Sequence, residues 1–247
     1  MRLNVVVSVV SHGHEELVRK LLDTYIDYVE WRLDSNIKLQ FLITHNLSST
    51  TSFNKEFGAF VLDTYNTNPV SFGENHNNAF RLSQHDVFIV CNPDVTFTSR
   101  SNLENMVNMA VQMSIIMSPF IDEGNGAFNP ARRKPSITTL VRRFVSNFIL
   151  QENSSVENVQ TPEWLPGVFM VFKSEVFKQL NGFDISIFMY YEDADICRRA
   201  RLAGYEIGVD SDCVIQHAVG RGSKRNARLF LSHVVNAIRV NFMRKWP

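Results

Sequence analysis

The run Val87-Phe88-Ile89-Val90-Cys91-Asn92-Pro93-Asp94 decides how this chain is read. Five consecutive apolar residues, three of them β-branched, predict a buried strand, and the proline after them stops it. Asp94 is left just past the strand end, on a stiffened approach. Working outward, Leu3–Val10, Lys38–Thr44, Ala59–Leu62, Asp86–Cys91 and Ser114–Met117 read as strands. Glu15–Trp31, Asn75–Ser83 and Asn102–Gln112 carry helical periodicity between them. That alternation predicts an α/β fold, a Rossmann-like, mainly parallel central sheet with helices on both faces. Ligands of such sheets bind beyond the carboxyl ends of the strands, where Ser11-His12, His45-Asn46 and Asn92-Pro93-Asp94 fall.

The second half reads differently. Asp122–Pro135, rich in Gly, Asn, Pro and Arg, predicts a mobile loop, followed by a helical run around Ile137–Leu150. Trp164–Phe172 reads as a strand, Ser174–Leu180 as a short helix, and Glu192–Leu202 as a helix closed by Gly204. We expect one domain over residues 1–220, with a nucleotide-binding half (1–120) and an acceptor half (121–220). A basic amphipathic C-terminal helix is expected over 221–247.

Composition narrows the class. With 247 residues, 45% of them hydrophobic, the chain can bury a sizeable core. Its three cysteines form no Cys-x-x-Cys pair, so neither a disulfide framework nor a zinc site is indicated, and a reducing cytoplasm fits. The net charge of zero hides an asymmetry. Residues 221–247 take 7 of the 25 basic residues and none of the 25 acidic ones, leaving 18 against 25, or −7, in the rest. Leu229, Phe230, Val234, Ile238, Phe242 and Trp246 recur there at helical spacing. Such a helix either lies on an anionic membrane surface or packs its apolar side on the core.

Three groups of residues carry possible chemistry. Asp94 is placed to hold Mg²⁺ or Mn²⁺ against two phosphates, although a strand-ending turn in which it caps the backbone also fits. His217, after the apolar run Cys213-Val214-Ile215-Gln216, is either a second metal ligand or a structural histidine. In Phe188-Met189-Tyr190-Tyr191-Glu192-Asp193-Ala194-Asp195-Ile196-Cys197-Arg198-Arg199, the aromatic run can form a partly dry wall with Glu192 and Asp193 at its rim. A carboxylate there can accept the proton of an attacking hydroxyl. The duller reading is an acidic first helical turn, with Asp195 at salt-bridge spacing from Arg198 and Arg199.

Taken in order, Val7-Ser8-Val9-Val10-Ser11-His12-Gly13-His14, Ser71-Phe72-Gly73-Glu74-Asn75-His76-Asn77-Asn78-Ala79, Asn92-Pro93-Asp94, Trp164-Leu165-Pro166-Gly167, Gly182-Phe183-Asp184 and Tyr191 to Arg199 resemble glycosyltransferase family 2. Within it the chain looks most like the bacterial O-antigen rhamnosyltransferases. The resemblance covers nearly the whole chain up to His217. It implies a GT-A fold, an inverting mechanism and a metal-dependent nucleotide-sugar donor, with dTDP-rhamnose favoured. By position it implies Asp94 and His217 at the metal (Mg²⁺ or Mn²⁺), Asp193 as general base, and Glu192 orienting acceptor or base. Trp164 and Gly167 would line the sugar site with Asp195 near it. Ser11, His45, Asn46, Phe72, Asn77 and Asn92 would surround the nucleotide. Apart from the resemblance, Arg132, Arg133 and Lys134 in the mobile segment either clamp donor phosphates or an acceptor pyrophosphate as a closing lid, or form a solvated basic loop.

The implied acceptor is a lipid-pyrophosphate-linked saccharide at the cytoplasmic membrane face; nucleic acid is not an expected partner. Three departures stand out: His45-Asn46 where relatives commonly have Asp before Asn, Ala79 for a frequent glycine, and Pro166 before Gly167. Two other readings compete. A nucleotidyltransferase should show a Gly-rich loop after the first strand, of which Ser11-His12-Gly13-His14 is a poor example. A noncatalytic sugar-nucleotide binder would keep the donor site and lack turnover.

Overall fold

The computed structural model describes residues 2–30, 36–98, 101–124, 126–128, 130–132, 162–218, 236 and 240. Its first half is a β/α succession: β1 (Leu3–Ser11), α1 (Glu15–Glu30), β2 (Ile37–His45), α2 (Phe53–Phe57), β3 (Val61–Tyr65), α3 (Phe72–Arg81) and β4 (Val87–Cys91). There follow β5 (Val95–Thr96), α4 (Leu103–Met113), β6 (Ile116–Asp122), β7 (Ala127–Phe128), β8 (Phe169–Lys173), α5 (Ser174–Gln179), α6 (Glu192–Leu202) and β9 (Ile207–His217). One sheet joins them in the order β3-β2-β1-β4-β8-β6-β9-β5, with β7 on β6.

The four strands β3, β2, β1 and β4 are mutually parallel. β8 then enters antiparallel between β4 and β6, a reversal that apolar runs cannot signal because they carry no direction. β4 is buried along its whole length, as its unbroken apolar run predicts. On α1, Val18, Leu21, Leu22 and Tyr28 follow the i, i+3, i+4 stripe and pack with Val5, Val7, Val9 and Phe41 of the sheet. A second cluster on the other face gathers Phe88, Val90, Phe172, Phe177 and Phe183 with Ile196 and Cys197 of α6.

Several boundaries move for local reasons. α3 begins at Phe72 rather than Asn75, because Ser71 caps it, its hydroxyl accepting from the Glu74 N–H at 3.2 Å. Ser114 is the left-handed cap of α4 (φ 52°), so β6 starts at Ile116 and runs on to Asp122. The strand expected over Trp164–Phe172 is confined to Phe169–Lys173. β9 is longer than the run Cys213–Gln216, and α2, β5 and β7 have no counterpart in the expected elements. The helical run around Ile137–Leu150 and nearly all of the C-terminal helix at 221–247 lie outside the described residues, as does Arg133.

Candidate active site

Asp94 sits in the turn between β4 and β5. Because β5 pairs antiparallel with the end of β9, Val95 faces His217 and brings the histidine onto the turn. The two side chains meet, His217 Nε2 lying 3.2 Å from Asp94 Oδ2, and the Ala218 N–H donates to the Asp94 carbonyl at 3.1 Å. Glu123, beyond β6, stands 3.8 Å from His217 Nδ1. Burial alone would lower the His217 pKa; the hydrogen bond and charge of Asp94, with Glu123 behind, outweigh it and leave it raised. Asp94 Oδ1 is buried and has no hydrogen-bond partner.

Among the described residues no three His, Cys, Asp or Glu groups form a metal cage. Asp94 and His217 nonetheless fit a hard divalent cation that takes its remaining ligands from phosphate oxygens and water, and the orphaned Asp94 oxygen is the donor such an ion would use.

The base candidate lies across a short stretch of chain. The Asn92 N–H donates to the Val168 carbonyl at 2.9 Å, stitching the Asn-Pro-Asp turn to the segment carrying Gly167. Gly167 N–H in turn donates to Asp193 Oδ2 at 2.9 Å, and Ala194 N–H to Asp193 Oδ1 at 2.8 Å. A Cβ added at Gly167 would rest in ordinary contact with Asp193 and the Phe72 ring, each at 3.5 Å, so Gly167 stands directly between the carboxylate and that ring.

Asp193 and Glu192 open α6 after two consecutive left-handed residues, Tyr190 (φ 69°) and Tyr191 (φ 71°). Neither is glycine, and each such residue costs about 1–2 kcal/mol, so packing elsewhere must hold the turn that aims these acids. Burial raises the Asp193 pKa to about 6, against the two N–H donors and Arg132, which lower it. Burial, then the neighbouring Asp193 charge, raises Glu192 further, and Glu192 Oε2 is buried without a partner. The pair therefore splits, Asp193 ionising first and Glu192 holding its proton.

Arg132 is bound to Trp164 through a backbone bridge, Arg132 N–H to Trp164 O at 3.0 Å and Trp164 N–H to Arg132 O at 3.2 Å. Its guanidinium donates to the carbonyls of Pro130 and Ala131 and is near enough to lower the Asp193 pKa. Phe72 projects its ring between this wall and His76, with its centroid 4.4 Å from the imidazole. His76 is fully buried and bonded to Ser8, and burial drops its pKa to about 3, so it supports Phe72 as a neutral ring.

The structure corrects four expectations. Asp195 is fully buried with its oxygens on Arg198 (3.0 Å) and Arg199 (2.8 Å), while Arg199 also donates to the Leu180 and Gly182 carbonyls; this carboxylate braces the fold and is not placed to meet substrate. Asn77 spends its amide on the Phe183 backbone, donating to its carbonyl and accepting from its N–H, both at 2.8 Å, so it positions a loop instead of touching nucleotide. The Asn46 amide donates to His12 and the Val70 carbonyl and accepts from Asn66 and the Val70 N–H, which ties three loops together at the crevice floor and leaves its side chain no capacity for a base. Phe188, placed by the sequence in a dry wall, is 55% exposed.

Ser11, buried at the end of β1, accepts from the His14 N–H and shapes the Gly13 turn (φ 76°). His45 is also fully buried, its ring lying between Phe53 and Tyr65 and its Nε2 2.9 Å from Asp63. Asp63 and Glu123 were missed in the sequence because strand alternation marks a side chain's face but not its partner in another strand.

These elements define a class by architecture: the fold is GT-A, the nucleotide-sugar-binding fold of glycosyltransferases. No family model matches the chain. It is 26% identical to the rhamnosyltransferase WbbL of Escherichia coli (strain K12) over 220 residues, covering 82% of this chain and 79% of that protein. Two solved structures are similar: a mannosyltransferase from Pyrobaculum calidifontis with GDP-Man and Mn²⁺ (TM-score 0.67, 18% identity, 100% of this chain) and GalNAc-T7 with UDP, GalNAc and Mn²⁺ (TM-score 0.68, 14% identity, 97% of this chain). The chain spans 66% and 49% of the length of those two structures.

Proposed function

We propose that this chain is an inverting, metal-dependent glycosyltransferase that moves L-rhamnose from dTDP-rhamnose to a lipid-pyrophosphate-linked saccharide of N-acetylglucosamine type, in the assembly of O-antigen or a related surface polysaccharide. The observation that carries the reading is Asp193, a carboxylate gripped by two backbone N–H groups and raised in pKa by burial, on a segment stitched to the Asp94–His217 turn. The similarity to a rhamnosyltransferase supports the sugar, and the two neighbours, one with GDP-Man and Mn²⁺ and the other with UDP, GalNAc and Mn²⁺, support the donor class.

Asp193 takes the proton of the acceptor hydroxyl as that oxygen bonds to the anomeric carbon; the bond to the diphosphate oxygen breaks on the opposite face, and nucleoside diphosphate leaves with its electron pair. Glu192, protonated at neutral pH, orients the acceptor or the base by donating a hydrogen bond. Trp164 and Gly167 shape the sugar site, and Phe72 and Ser11 border the nucleotide. Asp94 and His217 would hold Mg²⁺ or Mn²⁺, which would supply charge neutralisation for the diphosphate leaving group. Arg132 offsets the Asp193 charge, and Arg132 with Arg133 would clamp the phosphates of donor or acceptor. The basic segment 221–247 places the enzyme peripherally on the inner face of the cytoplasmic membrane.

One observation keeps a second donor in view. The His45 ring is sealed between Phe53 and Tyr65 and turned to Asp63, so this side chain does not itself select the base; the same mechanism then serves a UDP- or GDP-linked hexose or N-acetylhexosamine. The test is a screen of dTDP-rhamnose and common UDP- and GDP-sugars for released nucleoside diphosphate, with a lipid-pyrophosphate N-acetylglucosamine acceptor, Mg²⁺ or Mn²⁺, and a chelator control. Turnover that needs metal, acceptor and dTDP-rhamnose is expected. Turnover with another donor would replace the sugar, and donor binding without turnover would leave a noncatalytic binder.

A further inference from the structure

Just before the two candidate catalytic acids the chain makes a tight turn, Asp184 to Met189. Asp184 Oδ1 accepts from both the backbone N–H and the hydroxyl of Ser186, and the Ile187 N–H donates to the Asp184 carbonyl at 3.0 Å. Ile187 is fully buried against Tyr191 and Ala194, so the turn is anchored from inside. Two other apolar side chains of the same turn are exposed, Ile185 at 60% and Phe188 at 55%. Two large apolar side chains left in water on one hydrogen-bonded turn oppose the burial that formed the rest of the fold, and together they offer a contact surface.

What meets that surface follows from its neighbour. Val240 is fully buried in the same small cluster as Ile187, and the Asn236 side chain donates to the Met189 carbonyl at 2.8 Å. The turn thus contacts Asn236 and Val240, two residues of a stretch, 221–247, that in sequence carries seven basic residues and no acid. The acid on the turn itself, Asp184, is half-buried with one oxygen engaged by Ser186, and Glu192 behind it keeps its proton near neutral pH. Exposed apolar side chains on a turn that contacts a stretch basic in sequence suit the layered chemistry of an anionic bilayer, with acyl chains beneath and phosphate above. Among the described residues no helix is long and apolar enough to cross a membrane, so any contact they make with one is a surface contact.

We infer that Ile185 and Phe188 insert into the interfacial region of an anionic phospholipid bilayer, seating the turn beside Asp193 against the membrane. The inference deepens the proposed function, since a lipid-linked acceptor would then reach the base without leaving the bilayer.

The test is co-sedimentation of the full chain with vesicles of equal parts phosphatidylglycerol and phosphatidylcholine, without donor, metal or acceptor. Replacing both residues (Ile185→Ser with Phe188→Ser) is expected to weaken binding about tenfold or more, with the remainder abolished by salt. Binding equal to the parent's overturns the inference. In case the double variant does not fold, Phe188→Trp provides a second reading: its added emission should shift to the blue on vesicle addition, and an unshifted emission equally overturns it. Because no sugar chemistry enters the measurement, its failure leaves the transfer reading standing, and an inactive enzyme that still binds vesicles does the reverse.

Discussion

Replacing Asp193 by Asn keeps the shape of the side chain while removing its capacity as a base. The carboxylate accepts from two N–H groups, Gly167 at one oxygen and Ala194 at the other. An amide can serve one of them and must turn its NH₂ toward the other, losing one charge-assisted hydrogen bond worth about 1.5–3 kcal/mol. Against that loss stands a gain. The folded state raises this carboxyl from its ordinary 3.8 to about 6, so it binds the proton more tightly than the unfolded chain does. Stability from this group therefore falls as pH rises from about 4 to about 6, and above that the ionised Asp193 costs about 3 kcal/mol, which the Asn variant does not bear.

The two terms roughly cancel at neutral pH, while the rate should fall by about 10²- to 10⁴-fold. The expected result is a large loss of nucleoside diphosphate release, unchanged donor binding and a melting temperature within a few degrees of the parent's. The parent's rate should also climb with pH through about 6 as Asp193 ionises. Full activity in the variant, or a rate flat from about pH 5 to 7, would refute the assignment of the base.

Other consequences are as direct. Asp94→Asn should lower metal-stimulated turnover by about 10²-fold or more, and Mn²⁺ titration followed by electron paramagnetic resonance should show weakened binding. Gly182→Ala places a methyl 2.2 Å from Asn77 Oδ1 at φ 64°, and by disrupting the two hydrogen bonds between Asn77 and the Phe183 backbone it should cost about 2–4 kcal/mol in urea unfolding. Asp195→Ala leaves the buried Arg198 guanidinium without its carboxylate and should destabilise by about 3–5 kcal/mol. Glu192→Gln removes a carboxyl whose pKa burial raises to about 8, so the parent's loss of stability between pH 4.5 and 8 should be smaller in the variant, as read from melting curves across that range.

The apolar runs sufficed for β1 to β4 and for where their ends meet the crevice, but not for β5, β7 or the full length of β9. Asp94 and His217 could be named from sequence because each follows such a run, but their meeting depended on β5 pairing with β9, a contact 122 residues apart in the register Val95 to His217. The same limit explains the misplaced asparagines. Nothing in Asn46 or Asn77 distinguishes an amide aimed at a ligand from one spent on backbone, since the Phe183 backbone that claims Asn77 is 106 residues away. Asp195 was the opposite case: its i+3 and i+4 arginines already spelled the ion pair. Phe188 was misjudged because an aromatic run reads as buried until backbone dihedrals fix which side chains turn inward.

The position of β8 has a consequence for inheritance. A strand from the second half of the chain is the partner of β4 and of β6, so a fragment ending near residue 120 would expose β4, whose five residues are all buried in the whole protein, as a bare hydrophobic edge. Residues 1–120 are therefore not a cassette that can be cut out and grafted. Recombination at the midpoint would leave that edge bare and prone to aggregate, so change in this chain is expected to come from editing side chains in place.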